Sequence, residues 1–310
     1  MELPDSEALA WIVKTFAHLR AAHGQAIGRP ALVQPTGEFF PDAFEADGAS
    51  LDRLLRRVLA YAPISGELHV ELGVLVPDEG HTGGGCGSAA CGPGAGTGST
   101  PATVHELDDG YRVVVSATDL GNPDVLATSL ARAAGSLVLH EAGEPVGAQE
   151  SEIAAVVCGF GVLLANGASV WAKSCGGLRV AQATVLSVEE LGVALALFVA
   201  LDGQGPAKAR KHLGTTQREA FGLAWDWVES NPLLVESLRD EPARLASGAL
   251  DLEPVRGVIG QWLHKRKLEK AMRVRPSPVE PPMTPAMAEQ RRRRLERMEE
   301  VSSLLDLPDS

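Results

Sequence analysis

The sequence predicts an α+β protein with a small N-terminal strand region, a mainly helical body and a C-terminal helical arm. Two stretches predict the strands, because apolar residues alternate with other residues over 68–76 and again over 111–115. Apolar residues recur at helical spacing through most of the remaining chain up to about residue 246. Five prolines within residues 273–285 then separate a charged segment from this body.

The N-terminal half begins with two predicted helices. The first spans residues 6–23, with Ser6 as its cap, and the second spans residues 50–61. Between them, residues 39–44 form an aromatic loop, which we interpret as a hydrophobic plug over the core rather than a ligand site.

The body is predicted to be helical from about residue 122 onward. Ser187-x-x-Glu190 and Thr216-x-x-Glu219 have the pattern of a capping box at a helix start, and Pro232 should end the helix before it. The predicted helices lie near residues 122–139, 150–172, 187–202, 206–213, 216–230 and 233–246.

Composition changes along the chain predict the domain organisation. The full chain of 310 residues has a net charge of −12, which argues against a nucleic-acid partner, whereas residues 256–297 have a net charge of +8. We predict an α+β domain at 1–250 with a Gly/Cys-rich insertion at 79–98, a basic helical segment at 251–272, a Pro-rich linker at 273–285, and a charged helix and tail at 286–310.

Hydropathy predicts a soluble, cytoplasmic protein without a membrane partner. Apolar residues form no uninterrupted run near 18 in length, and residues 1–5 have neither a basic nor an apolar leader pattern. Hydrophobic residues make up 45% of the chain, which is enough for a packed core.

Residues 118–171 contain two helix patterns of special interest. Asp119 precedes Ser129-Leu130-Ala131-Arg132-Ala133-Ala134-Gly135-Ser136, and a second apolar helix begins near Glu152. This arrangement resembles a soluble bacterial group of zincin-like metallopeptidase domains, in which a strand ending in Asp leads to T-L-A-H-E-L-A-H and then to a second apolar helix. The resemblance extends weakly over about residues 30–230.

The resemblance implies a degenerate zinc site. Zinc peptidases need two histidines four residues apart, a neighbouring glutamate as general base and a further acidic ligand. The matching positions hold Arg132, Ala133 and Ser136, and Glu152 alone keeps a carboxylate. A guanidinium stays charged, so we expect Arg132 to pair with Glu152 in place of a metal and the peptidase machinery to be absent.

Histidine elsewhere offers no alternative zinc motif by its spacing. His140-Glu141 begins a superficial match to H-E-x-x-H, but Gly143 and Pro145 predict that the helix ends there. The other histidines, among them His18, are scattered, and no two of them have ligand spacing on one predicted face.

Three cysteines suggest a second, separate site. Cys86 and Cys91 lie in the insertion, where nine of the twenty residues at 79–98 are glycine, and Cys175 lies in another glycine-containing stretch. With His81 they have the composition of a structural Cys₃His zinc site. A Cys86–Cys91 disulfide and free thiols are the alternatives, whereas Cys158 is expected to be an ordinary core residue.

These features predict a non-catalytic binding or assembly protein with a metallopeptidase-like fold. Residues 286–305 carry a partly apolar stripe behind the proline linker, which suits docking on the body of the chain, on a protein partner or on a second copy. For this segment, a solvated helix that docks on nothing is the alternative. The alternative is a metal- or thiol-dependent enzyme or redox protein centred on Cys86, Cys91 and Cys175.

Overall fold

The computed structural model describes residues 1–64, 68–76, 102–174, 177–203, 205–249 and 252–253. The chain divides into two compact units, Met1–Arg256 and Gly257–Ser310. The second unit lies outside the described residues, as do the predicted linker, the arm and nearly all of the predicted basic segment, so the predicted domain limits stay predictions.

The α+β fold class is confirmed by a small mixed sheet and a mainly helical body. Strands β1 (His69–Leu75), β2 (Thr103–Leu107) and β3 (Gly110–Ser116) form this sheet in the order β1-β3-β2. Strand β1 runs parallel to β3, and β2 runs antiparallel to it. The sequence analysis missed β2, because its five residues Thr-Val-His-Glu-Leu contain only two apolar side chains.

The helices of the described body follow the predicted periodicity. A 3₁₀ turn (Ala117–Gly121) leads from β3 into α3, and a π-helical turn (Val156–Phe160) joins α4 to α5. The helices are α1 (Ser6–Ile27), α2 (Gly48–Leu59), α3 (Pro123–Glu141), α4 (Ala148–Ala155), α5 (Gly161–Gly167), α6 (Val188–Leu201), α7 (Pro206–Arg210), α8 (Thr215–Ser230), α9 (Pro232–Asp240) and α10 (Pro242–Ala246).

Of the three predicted helix caps, the structure confirms one and shows that two are wrong. The capping box at the start of α6 is complete, since Ser187 and Glu190 each bond the other's backbone N–H. Helix α1 is capped by Asp5 rather than by Ser6, because the Asp5 carboxylate accepts from the backbone N–H of Ala8. Helix α8 begins at Thr215 after Gly214 and has no side-chain cap, so the capping box predicted at Thr216 is wrong.

Two predicted helices have the wrong extent. The helix predicted at 150–172 ends at Gly167, and the chain continues as an antiparallel hairpin of β4 (Val170–Ser174) and β5 (Gly177–Ala181). A short apolar run fits a strand as well as a helix end, so periodicity alone does not separate them. The helix predicted at 233–246 is divided into α9 and α10, because Pro242 begins a new helix.

Close packing of α3 against α4 forms one part of the core. Helix α3 carries several small residues, and Ala131, Ala133 and Ala134 are fully buried. Gly135 makes the closest approach, since a Cβ atom built on it would overlap the backbone carbonyl oxygen of Ser151. The two backbones can therefore meet only where α3 lacks a side chain.

Gly159 interrupts the long helical segment that begins with α4. Its φ of 98° is one that residues with a side chain rarely adopt. Its carbonyl oxygen accepts a hydrogen bond of 2.9 Å from the backbone N–H of Val33, and a Cβ atom would overlap the Ala31 carbonyl. The break thus fastens the chain after α1 to the middle of the core.

One helical segment among the described residues, Ala148–Gly167, is long and apolar enough to cross a membrane by length and composition. Of its most apolar window, 83% is buried inside the protein, which is the environment of a central core helix.

Substitution of Gly135 by Ala should destabilise the fold by about 2–3 kcal/mol, because the added methyl group overlaps backbone that cannot move without separating α3 from α4. Chemical denaturation would measure this. The matched control is Gly24→Ala in α1, where a Cβ meets nothing within 4 Å, and it should leave the stability unchanged or raise it by up to about 1 kcal/mol. Equal effects of the two substitutions would contradict the packing assigned to Gly135.

Candidate functional site

The structure brings together the two residues of the predicted degenerate zinc site. Arg132 projects from α3 and Glu152 from α4, and the Nε atom of Arg132 lies 3.8 Å from the Oε1 atom of Glu152. The Glu152 side chain is completely buried, and that of Arg132 is 11% exposed. The site is thus an ion pair between two packed helices.

Both carboxylate oxygens of Glu152 have a further partner. Oε1 accepts a hydrogen bond of 2.7 Å from the backbone N–H of Val185, and Oε2 accepts one of 2.8 Å from that of Leu186. These two amides directly precede the Ser187 cap of α6. The carboxylate of α4 therefore positions the start of α6.

Burial dominates the electrostatics of Glu152. It raises the pKa of the Glu152 carboxyl above its ordinary value, although the two backbone N–H groups and the Arg132 guanidinium act in the opposite direction. A carboxylate retained in such surroundings needs these donors, because an isolated buried charge is very costly.

Arg132 is less well satisfied than its partner. Its Nε and Nη1 atoms are buried and have no hydrogen-bond partner, so the pair with Glu152 is a contact of charges without a direct hydrogen bond. Burial lowers the pKa of Arg132, and the nearby Glu152 carboxylate partly offsets that effect. The guanidinium nevertheless remains a cation, since arginine does not deprotonate in proteins.

The positions matched to the peptidase glutamate and to its second histidine hold no carboxylate or imidazole. Ala133 is fully buried, and the Ser136 hydroxyl donates to the backbone carbonyl of Arg132 at 3.3 Å, one turn back in the same helix. Asp119 is buried beside α3 and accepts a hydrogen bond of 3.4 Å from the Ser129 hydroxyl. The chemistry that this arrangement supports is ion pairing and helix positioning.

The predicted cysteine site lies outside the described residues. This holds for each of its four members, Cys86, Cys91, Cys175 and His81. Within the described ranges, no three His, Cys, Asp or Glu side chains are arranged to hold a metal ion. Cys158 is buried in the core, and this burial raises the pKa of its thiol to about 12. It is thus an unreactive core thiol.

His140 lies at the helix end that the sequence predicted. Helix α3 stops at Glu141, and Gly143 has a φ of 67°, which ends the helical path. The His140 ring packs on the Tyr111 ring with centroids 5.3 Å apart. It therefore belongs to the contact between α3 and the sheet.

A histidine cluster was missed by the sequence analysis. The Nε2 atoms of His18 and His23 each lie 3.1 Å from the same Oε1 atom of Glu144. No local signal indicates this, because residues five apart do not share a helix face and Glu144 lies more than 120 residues away. Burial alone would raise the pKa of Glu144, but the hydrogen bonds from both imidazoles hold that pKa below its ordinary value.

Comparisons with known proteins identify no relative of this chain. No family model matches it, and neither the curated proteins nor the solved structures contain a match. The likeness to zincin-like domains thus rests on the residues quoted above.

Substitution of Arg132 by Met should destabilise the protein by about 3 kcal/mol, because it leaves the buried Glu152 charge without its cation. The two amide donors to Glu152 keep the loss at the lower end of the range for broken buried pairs. The measurement is the free energy of unfolding in urea at neutral pH.

The control for this prediction is Arg56→Met, which removes an exposed ion pair with Asp52 on α2. That pair is shorter, at 2.7 Å, yet its loss should leave stability unchanged within error, because water solvates both charges. A loss for Arg132→Met as small as that for Arg56→Met would show that burial does not govern the site.

The lowered pKa of Glu144 predicts that its contacts with His18 and His23 stabilise the protein in a way that acid removes. Since its folded pKa is lowered below 4.5, the contribution is complete above that pH and is lost as the pH falls through the folded pKa. Unfolding free energies measured between pH 6 and pH 3 should therefore fall less steeply for Glu144→Gln than for the wild type. The exposed Glu219 of α8 provides the control, and Glu219→Gln should retain the wild-type slope.

Proposed function

We propose that this protein is a non-catalytic binding or assembly component, built on a metallopeptidase-like body in which an ion pair occupies the place of the metal. Its partner is another protein or a second copy of the chain, contacted through residues 286–305.

The pairing of Glu152 is the observation that carries this proposal. The carboxylate that the resemblance matches to a zinc ligand faces Arg132, and each of its oxygens already accepts a backbone N–H. A cationic guanidinium cannot donate a lone pair to zinc. A metal at this point would have to share the space with a fixed positive charge.

The absence of a base at Ala133 supports the same conclusion. Peptide hydrolysis by a zinc enzyme requires a carboxylate or imidazole that takes the proton of the metal-bound water. A methyl group cannot do this, and Ser136 is engaged with the helix backbone. The site is therefore suited to hold α3, α4 and the start of α6 together.

The arm is tested in the full-length protein by measuring molar mass in solution over a range of concentrations. We expect the wild type to associate and the double variant Leu295→Glu/Leu304→Glu to be monomeric, because two charges interrupt the apolar stripe. The matched control Gln290→Glu/Ser302→Glu adds the same charge at polar positions of the same segment and should associate like the wild type.

Two outcomes would overturn the proposal. One is a wild-type protein that is monomeric at every concentration and whose complexes with added partners are unaffected by the Leu295 and Leu304 substitutions. The other is hydrolysis of a peptide substrate by the pure protein that a chelator abolishes and that disappears in Glu152→Gln.

A further inference from the structure

A cavity of about 310 Å³ lies beside the first turns of α3, and neither Arg132 nor Glu152 lines it. It is bounded by the loop at residues 35–44, by α2, by the start of α3 and by α5. Its volume is at the small end of the range of about 300–1,000 Å³ found for small-molecule sites.

The walls of this cavity are mainly apolar. Leu126 and Leu163 are buried and form its floor, while Phe40, Phe44 and Leu54 are partly buried around it. Protein interiors are packed nearly without voids, so apolar side chains around an open space of this size leave much contact area unused. A molecule with an apolar body would restore that contact.

The aromatic loop has two separate roles. Phe39 is buried and packs edge-on against Tyr61, with ring centroids 5.4 Å apart, and this contact anchors the loop as the predicted hydrophobic plug. Phe40 and Phe44 are partly buried and form walls of the cavity. They also pack against the core, as the plug interpretation expects.

The polar groups around the cavity restrict the ligand's charge. Asn166 is already engaged, because its amide donates to the His212 carbonyl and accepts from the Gly214 N–H. Asp42 is paired with Arg57 at 3.1 Å. In the described part of the chain, the Asp124 carboxylate has no hydrogen-bond or ion-pair partner, and no Lys or Arg lines the cavity.

We propose that this cavity binds a small free molecule with one ring or a branched apolar body and a single primary amino group. The body fills the space between Phe40, Phe44 and Leu163, and the ammonium group pairs with Asp124 at the exposed first turn of α3. A carboxylate ligand is disfavoured by the same charge. The proposal is independent of the arm and of the Arg132–Glu152 pair.

The test uses three probes of nearly equal shape: phenethylamine, 2-phenylethanol and 3-phenylpropionate. Titrations of the full-length protein followed by calorimetry should show that the amine binds most tightly, with the alcohol about twofold to fivefold weaker, the gain expected for a partly exposed charge pair. The anion should bind more weakly than the alcohol.

Variants assign the binding to this cavity. Ala127 lines it on α3, so Ala127→Phe should fill it and weaken phenethylamine binding by more than about tenfold. The control Ala22→Phe adds the same ring to an exposed position of α1 and should bind like the wild type. Asp124→Asn should still bind both phenethylamine and 2-phenylethanol, because the apolar walls are unchanged, but it should bind the two with equal affinity.

Several results would overturn the proposal: no binding of phenethylamine at 10 mM or about that concentration, equal binding of the alcohol and the amine by the wild type, or unchanged amine binding in Ala127→Phe. If Ala127→Phe fails to fold, Asp124→Asn decides, because the Asp124 side chain is exposed and its replacement should not affect folding. Retention of the amine preference in Asp124→Asn would then be the contradicting outcome.

Discussion

The carboxylate of Glu152 is the interaction on which the arrangement of the helical body depends. It is buried on α4 and faces the Arg132 guanidinium of α3. It also accepts hydrogen bonds from the two backbone N–H groups that precede α6. Three parts of the chain that are distant in sequence therefore meet at one charged group. In a core made mostly of alanine, leucine and valine, which pack without directional preference, such a group selects a single relative placement of the helices.

The same group explains why close packing and electrostatics are linked here. Helices α3 and α4 approach to backbone contact at Gly135, one turn from Arg132, so the charged pair is enclosed on the side of the glycine. Enclosure removes water that would otherwise solvate both charges and raises the cost of leaving either one alone. A larger residue at Gly135 would separate the helices and admit water to the pair.

The sequence patterns predicted those helices, strands and caps that depend on local periodicity. The alternation at β1 and β3, the positions of α1, α3, α6 and α8, and the Ser187–Glu190 box all arise from residues within a few positions of each other, and the structure confirms them. The facing of Arg132 and Glu152 was expected from the family resemblance, and the structure places them in contact distance. The resemblance itself and the function drawn from it stay predictions.

Long-range contacts account for what the sequence did not reveal. The amide partners of Glu152 come from the segment before α6, and Glu144 joins two histidines that lie on different faces of α1. Neither partner follows from spacing, since each depends on how distant helices pack. The hairpin of β4 and β5 was missed for the same reason, because a short apolar run becomes a strand only when a second strand pairs with it.

The register of the small sheet has a consequence for the glycine-rich insertion. Leu75 at the end of β1 is aligned with Ser116, and Thr103 at the start of β2 is aligned with Val114, so both anchor points lie at the same end of β3. Two strand spacings separate them, or about 10 Å. Because loop-closure entropy grows only logarithmically with length, halving the connection at residues 77–101 would alter its closure cost by about 0.6 kcal/mol. We therefore expect the connection between β1 and β2 to tolerate insertions of very different length without a change of strand register. New sequence could be added to the fold at this point at little cost in stability.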